Sequence, residues 1–292
     1  MIWVFIASTL RGATPLLLAA LGGVTSERSG VVNIALEGIM LMGAWAAVYF
    51  SVLSGSAWIG TLGAIVVGTI IAALHAIASI RFKANQVVSG TAINLLAAGF
   101  TEYAYNAWRD ITWDKAIPMP ELGFGSYKLT IFVLFAAILV VVVWFALYKT
   151  PWGLRLRAAG EHPLALDTVG VKVEPMRYQG VLLSGVFAGL AGAALSIGML
   201  SRFTLGMSSG KGFIALAAMI FGRWDPIGSV FACLLFGAAD ALSTLLQIWQ
   251  VPIPSFFVLM APYVLTMLAL AGLVGRSTAP KALGTPYTKG GK

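Results

Sequence analysis

Long uncharged runs separated by short charged links set the pattern of this chain. The run 129–148 carries no charge and places Trp144 and Tyr148 near one end, where aromatic rings favour the boundary between lipid and water. Residues 178–201 form another such run. No charged residue occurs between Glu37 and Arg81, which is room for two membrane crossings with Ser54-Gly55-Ser56 as the turn between them. Pro252-Ile253-Pro254 divides the last apolar stretch into 227–249 and 255–275. Further spans are expected at 2–23 and 87–106. The 2–23 segment reads as a retained span, because it lacks a charged leader and carries Arg11 inside the apolar run. A piece at 212–222 is too short to cross a core of about 30 Å at about 1.5 Å per residue, so it is expected to be tilted, broken or re-entrant. The pattern predicts an all-α integral membrane protein, a polytopic bundle of about 9 (8–10) transmembrane helices with re-entrant or broken segments. One transmembrane domain is expected over 1–275, and a disordered tail at 276–292.

Orientation comes from the basic links. The loop 149–177 holds Lys149, Arg155, Arg157, Lys172 and Arg177, the link after the third span holds Arg81 and Lys83, and the tail adds Arg276, Lys281, Lys289 and Lys292. The loop 107–128 balances Arg109, Lys115 and Lys128 against Asp110, Asp114 and Glu121. By the positive-inside rule the first three face the cytoplasm and the balanced loop faces outward. This topology accounts for most of the net charge of +8, and nucleic acid is not an expected partner.

An internal echo points to an inverted repeat. Val32-Asn33-Ile34-Ala35-Leu36 and Gly212-Phe213-Ile214-Ala215-Leu216 each follow a Gly/Ser-bearing break, and under the expected topology they run in opposite directions through the membrane. Inverted repeats of this kind place a pathway at their interface.

Composition removes other classes. Hydrophobic residues make up 59% of the 292 residues and charged residues only 10%, against roughly 25% charged in soluble domains. A lone Cys233 and two histidines, His75 and His162, are a poor set for metal or disulfide chemistry. The segment Gly206-Met207-Ser208-Ser209-Gly210-Lys211-Gly212 resembles a P-loop, but its spacing is one residue short and Gly replaces the hydroxyl. No serine elbow or His-Glu-x-x-His occurs, so a membrane enzyme is not expected.

The polar residues inside the spans are the remaining chemistry. Glu37, Glu102 and Asp240, with Arg11 as a possible partner, suit either structural pairing or an ion-coupled carrier. Asn33, Asn85, Gln86, Ser89, Thr91 and Asn94 offer neutral hydrogen bonding, suited either to passing a polar solute or to joining helices. Lys211 and Phe213, at the start of the short apolar piece, join them as pathway candidates. Gly185, Gly189 and Gly192 are expected to serve close helix packing. On the inner loop a Gly break, then Glu161 and Pro163 at a helix start and Gly170 past its end, spell a helix of about two turns.

The chain resembles the permease subunits of ATP-binding-cassette importers, in the branch serving branched-chain amino acids, simple sugars and nucleosides. The resemblance is carried by Glu27-Arg28-Ser29-Gly30-Val31-Val32-Asn33-Ile34-Ala35-Leu36-Glu37-Gly38, by Asn85-Gln86-Val87-Val88-Ser89-Gly90, by the loop 154–170 and by 206–222. It implies a coupling helix around Gly160-Glu161-His162-Pro163, with Arg157, Asp167 and Gly170 beside it, that docks into an ATPase. His162 stands where many relatives have Asn. The first motif is nearest the nucleoside-type subgroup. The resemblance further implies a second, different permease, a cytoplasmic ATPase that binds ATP and Mg in place of any cofactor in this chain, an extracytoplasmic solute-binding protein and a bacterial cytoplasmic membrane. Riboflavin, simple-sugar and branched-chain amino acid import are alternatives within the branch, and an ion-coupled secondary carrier is the alternative outside it.

Overall fold

The computed structural model describes residues 2–108, 110–124, 127–248, 260, 264 and 278–288. Ten α-helices follow one another: α1 Ile2–Arg28, α2 Leu36–Ser54, α3 Ala57–Ala76, α4 Gln86–Ala107, α5 Ile131–Lys149, α6 Pro151–Glu161, α7 Pro163–Thr168, α8 Val173–Ala193, α9 Lys211–Phe221 and α10 Pro226–Ile248. Helices α3 and α8 continue into wider π-helical turns at Ile77–Arg81 and Ala194–Leu200. A two-stranded hairpin, β1 Glu121–Phe124 and β2 Tyr127–Thr130, interrupts the helices with Glu121 opposite Thr130. The sequence pattern contained no sign of it.

Six of the described helical segments are long and apolar enough to span a membrane: Ile2–Arg28, Leu36–Ser54, Ala57–Arg81, Ile131–Lys149, Val173–Leu200 and Pro226–Ile248. This is a multi-pass membrane protein. The expected count of about nine exceeds that number for physical reasons. Helix α4 is 22 residues long but carries Asn94, Glu102 and Asn106, α9 has only 11 residues, and the expected span at 255–275 lies outside the described residues apart from Met260 and Val264.

Helices α2, α3 and α8 form the tightest part of the bundle. A Cβ built on Gly43 would lie 2.7 Å from the Gly189 carbonyl oxygen, and one on Gly68 would lie 2.6 Å from that of Gly185. Glycine therefore sets the interhelical distance, as small residues do where lipid supplies no hydrophobic drive between helices. Helix α1 packs beside this trio, and Leu18, Leu21, Ile39, Met40 and Ile197 fill the space between them.

The two ends of the bundle differ. At one end the loop before β1 pairs with the segment after α8, with Ala116 N–H donating to the Ser201 carbonyl and Phe203 N–H to that of Trp113. Trp45 there stacks on Tyr49 at 5.2 Å and meets Phe100 edge-on at 5.1 Å. At the other end the close of α1 meets the α6–α7 hairpin and the turn from α9 to α10.

The tail expected to be disordered is ordered over its described part. Residues 278–288 lie along the inner end, where Ala282 N–H donates to the Gly160 carbonyl and Gly284 N–H to that of Gly30. Backbone carbonyls left free at the ends of α1 and α6 give an irregular segment something to bind.

Candidate functional site

Between α1 and α2 the chain abandons helix over 29–35 while remaining buried. Backbone groups there have no helical partners and lipid hydrocarbon offers none, so polar groups inside the bundle have to satisfy them, here largely side chains of neighbouring helices. Gln86 Oε1 accepts from Val32 N–H at 2.7 Å, and a nitrogen of the His75 ring bonds the Val32 carbonyl at 2.9 Å. Asn94 holds both sides of the entry to α2: its Nδ2 donates to the Ile34 carbonyl and its Oδ1 accepts from Gly38 N–H. Asn33, fully buried, donates to Ser184 Oγ at 2.6 Å. Ser89 lies 3.1 Å from the other ring nitrogen of His75, and Asn85 caps α4 by accepting from Val87 and Val88.

These bonds set several expected pathway residues against protein partners, while Asn33 Oδ1 and Gln86 Nε2 stay buried without a partner among the described residues. Asn33, Gln86, Ser89 and Asn94 turn their polar atoms to the elbow and to neighbouring helices, and Asn85 to its own helix. Their spacing was equally suited to an open path. Thr91 is exposed on α4, its hydroxyl donating to the Val87 carbonyl.

Glu37 occupies a different place. It is half-buried in the first turn of α2, and its two carboxylate oxygens accept from Gly210 N–H at 2.9 Å and Gly212 N–H at 2.6 Å. Those amides open α9, which has no cap of its own. A carboxylate at a helix N-terminus meets unpaired N–H groups and the positive end of the helix dipole. Helices α2 and α9 thus meet at their starts, α2 following an elbow from one end of the bundle and α9 following a loop from the other. The meeting point lies about 16 Å, the rise of α9's 11 residues, from the α9–α10 turn. Gly212 permits the contact, since a Cβ there would lie 2.5 Å from the Glu37 backbone. Half-buried Lys211 and exposed Phe213 begin α9 beside it, while Ile34 and Glu37 are the partly open positions at the start of α2.

At the inner end α6 starts at Pro151, with Thr150 Oγ1 accepting from Gly153 N–H, and runs unbroken to Glu161. The expected break at Gly160 is absent. The chain breaks at His162 instead, with φ −142° and ψ 73°, because a residue before proline is pushed out of the helical region. Helix α7 then begins on Pro163 and closes before Gly170, whose φ of +81° suits glycine. Leu164 and Val169, 58% and 73% exposed, give α7 an apolar outer surface beside exposed His162. Asp167 lies next to Tyr287 of the tail, where burial, together with that carboxylate, holds the phenol above its ordinary pKa.

The hairpin is fixed to the bundle through Gly160, Glu161 and Arg157 and through the charged pair that closes α1. Gly160 packs directly on the backbone of Arg28 and Gly30. Arg28 Nε donates to the Trp224 carbonyl at 2.8 Å and its Nη2 to that of Arg223 at 3.2 Å, while Nη1 lies 3.9 Å from Glu161. Buried Glu27 accepts from Trp224 Nε1 at 2.6 Å. Arg157 stacks over the Tyr148 ring, 4.8 Å from its centre. One arginine therefore touches both the hairpin and the α9–α10 turn. The only signal of it in the sequence was a charged pair, Glu27 and Arg28, just ahead of a glycine break.

Glu102 and Asp240 are exposed on α4 and α10, and Arg11 is half-buried on α1 with no ion pair among the described residues. Cys233 is buried, and no cluster of metal-binding side chains occurs among the described residues.

A multi-pass bundle with broken helices meeting inside it and a helical hairpin at one end suits a membrane transport subunit. Residues 5–274 match the model of the branched-chain amino acid transport system / permease component family, and the chain belongs to that family. It is a permease subunit of an ABC importer, with ATP hydrolysis residing in a separate subunit. The chain is 44% identical to the guanosine ABC transporter permease protein NupQ of Bacillus subtilis, over 98% of this chain and 97% of the relative. It is 38% identical to the nucleoside ABC transporter permease protein NupC of Lactococcus lactis over the same shares. A second Bacillus subtilis protein, the guanosine ABC transporter permease protein NupP, is 28% identical over 80% of this chain and 72% of the relative. The solved structure of PsaBC from Streptococcus pneumoniae in complex with Fab has a similar fold, with TM-score 0.50 at 13% identity over 92% of this chain and 95% of that one.

Proposed function

We propose that this chain is one of two different permeases in a nucleoside importer of a bacterial cytoplasmic membrane. The observation that carries the substrate class is the 44% identity, end to end, with a permease named for guanosine. Resemblance to both NupQ and NupP of one organism supports a pair of unlike permeases, this chain matching the first far better. A cytoplasmic ATPase that binds ATP and Mg and an extracytoplasmic solute-binding protein complete the assembly.

In this reading ATP-driven closure of the ATPase pushes on α7. The push reaches the elbow through the contact of Gly160 with Gly30, and the α9–α10 turn through Arg28. The elbow leads into α2, and Glu37 ties the start of α2 to the start of α9, so the broken helices move together. They are the two halves of the inverted repeat suspected from the echo of 32–36 in 212–216. Solute passes along the partly open start of α2, between Thr91 of α4 and Phe213 of α9. Sparse polar lining is sufficient, because the external protein captures solute and the pathway needs only a difference in affinity between two states.

The test is uptake into liposomes by the assembly purified in mild detergent. ATP-dependent uptake of guanosine that requires the co-purified ATPase is expected. Uptake of riboflavin or a simple sugar instead would move the substrate class. Uptake by the isolated chain in a proton or sodium gradient would replace the reading with an ion-coupled carrier.

A further inference from the structure

The described part of the tail is neither helix nor strand, yet it is fastened to α6, α7, α8 and the elbow. Ala282 N–H donates to the Gly160 carbonyl at 2.8 Å, and two residues later Gly284 N–H donates to the Gly30 carbonyl at 3.2 Å. The first bond holds the end of α6 and the second holds the elbow. Lys281 N–H donates to Glu161 Oε2 at 3.2 Å. Arg177, near the start of α8, donates from Nη1 to the Thr285 carbonyl at 2.7 Å. Tyr287 lies against the small apolar cluster of Ala159, Leu166 and Val173, one residue from each of α6, α7 and α8.

Arg177 shows how closely the tail fits. Its side chain is only 2% exposed, and its Nε and Nη2 have no partner among the described residues. A guanidinium buried with open donors is unfavourable by itself, so the covering segment is held by its other contacts. Those contacts are the two backbone bonds and the Tyr287 ring. Pro280 and Pro286 bracket the segment, and a proline-bracketed strip loses less chain entropy on docking than a free one.

We propose that residues 280–287 form a staple that makes the α6–α7 hairpin and the elbow move as one body, so that the C-terminal segment positions the coupling element. Arg177 and Tyr287 are its positioning residues. Without the staple, the hairpin yields under the ATPase before the elbow does, and ATP is spent with less solute moved. The inference rests on the ABC-importer reading for the source of the stroke, but not for the attachment itself.

Two measurements test it. In the first, hydrogen exchange is followed on the unmodified chain in detergent. The amides of Ala282 and Gly284 are expected to exchange at least about tenfold more slowly than an unstructured peptide. Exchange at the unstructured rate overturns the staple whether or not the chain transports anything.

In the second, solute moved per ATP hydrolysed is measured for the complete assembly in liposomes. Removal of 278–292, or Tyr287→Ala, is expected to lower that ratio by about fivefold, the scale of one net hydrogen bond, while hydrolysis continues. Tyr287→Phe, which keeps the ring, is expected to restore it. An unchanged ratio after truncation overturns the staple. If the unmodified assembly shows no ATP-driven uptake, the importer reading fails while the exchange result still decides the staple.

Discussion

The seam of α2, α3 and α8 and the end of the bundle that holds the α6–α7 hairpin are joined by different mixtures of contacts. In the seam, glycine lays backbone on backbone, with no side chain between Gly43 and Gly189 or between Gly68 and Gly185 that might swing aside. At the hairpin end, besides the packing of Gly160 on Arg28 and Gly30, the elbow, hairpin, α9–α10 turn and tail are joined by hydrogen bonds that Arg28, Arg177 and tail amides donate and that Glu27 accepts from Trp224. Close-packed surfaces have one arrangement and resist deformation. Long charged side chains can exchange one carbonyl for another at small cost. The difference teaches where the molecule is rigid and where it is built to be worked.

The comparison is broken most strongly in the seam. Gly189→Val puts a branched side chain against the Ala64 carbonyl. Overpacking of this kind costs about 3 kcal/mol, and the expected result is loss of most monodisperse protein on size-exclusion chromatography in detergent. A variant that elutes as the parent does would mean that the seam yields.

The inner end is expected to fail in another way. Gly160→Leu lifts the hairpin from the backbone of Arg28 and Gly30. Folded yield is expected to stay within about twofold of the parent while ATP-driven uptake falls about tenfold, corresponding to roughly 1–2 kcal/mol of lost positioning. Equal loss of yield in both variants would erase the distinction between the regions.

Glu37 stands between them. Glu37→Gln keeps an acceptor for α9 but removes its charge, a loss of about 0.5–1 kcal/mol at a helix N-terminus. A twofold to fivefold slower uptake with unchanged yield is the expected outcome on that scale. The smallest effect belongs to the outer surface of α7. Leu164→Ala removes an exposed apolar side chain and leaves the fold alone, and thermal stability of the isolated chain is expected to change by less than about 0.5 kcal/mol. Its effect appears only as weaker retention of the ATPase during purification.

The same contrast explains what could be read from the sequence. Hydropathy located α1, α2, α3, α5, α8 and α10 because lipid imposes length and apolarity on each span separately. Glycines at 185, 189 and 192 in one apolar run signalled close packing for the same local reason. The polar residues of 85–94 were visible, but not their use, since the choice between lining a path and satisfying the elbow depends on where α4 lies against α2. Helix α7 was legible from Pro163 and Gly170, whereas α6 was hidden by its arginines and glycines. Arg177 passed as a topology charge and Arg28 only as part of the motif that carries the resemblance, because their carbonyl partners lie far along the chain, at 223–224 and 285. The tail adds a few local turn bonds to such distant partners, and its composition gave no hint of its order.

The central claim is that force applied at α7 enters the bundle through the joint that Arg28 makes between hairpin, elbow and α9–α10 turn. Its most direct measurement is solute imported per ATP hydrolysed by the reconstituted assembly carrying Arg28→Met, which preserves the length of the side chain and removes its donors. The account predicts continued ATP hydrolysis with that ratio lowered about tenfold, the scale of charge-assisted hydrogen bonds lost at one joint. A ratio equal to that of the parent would contradict it.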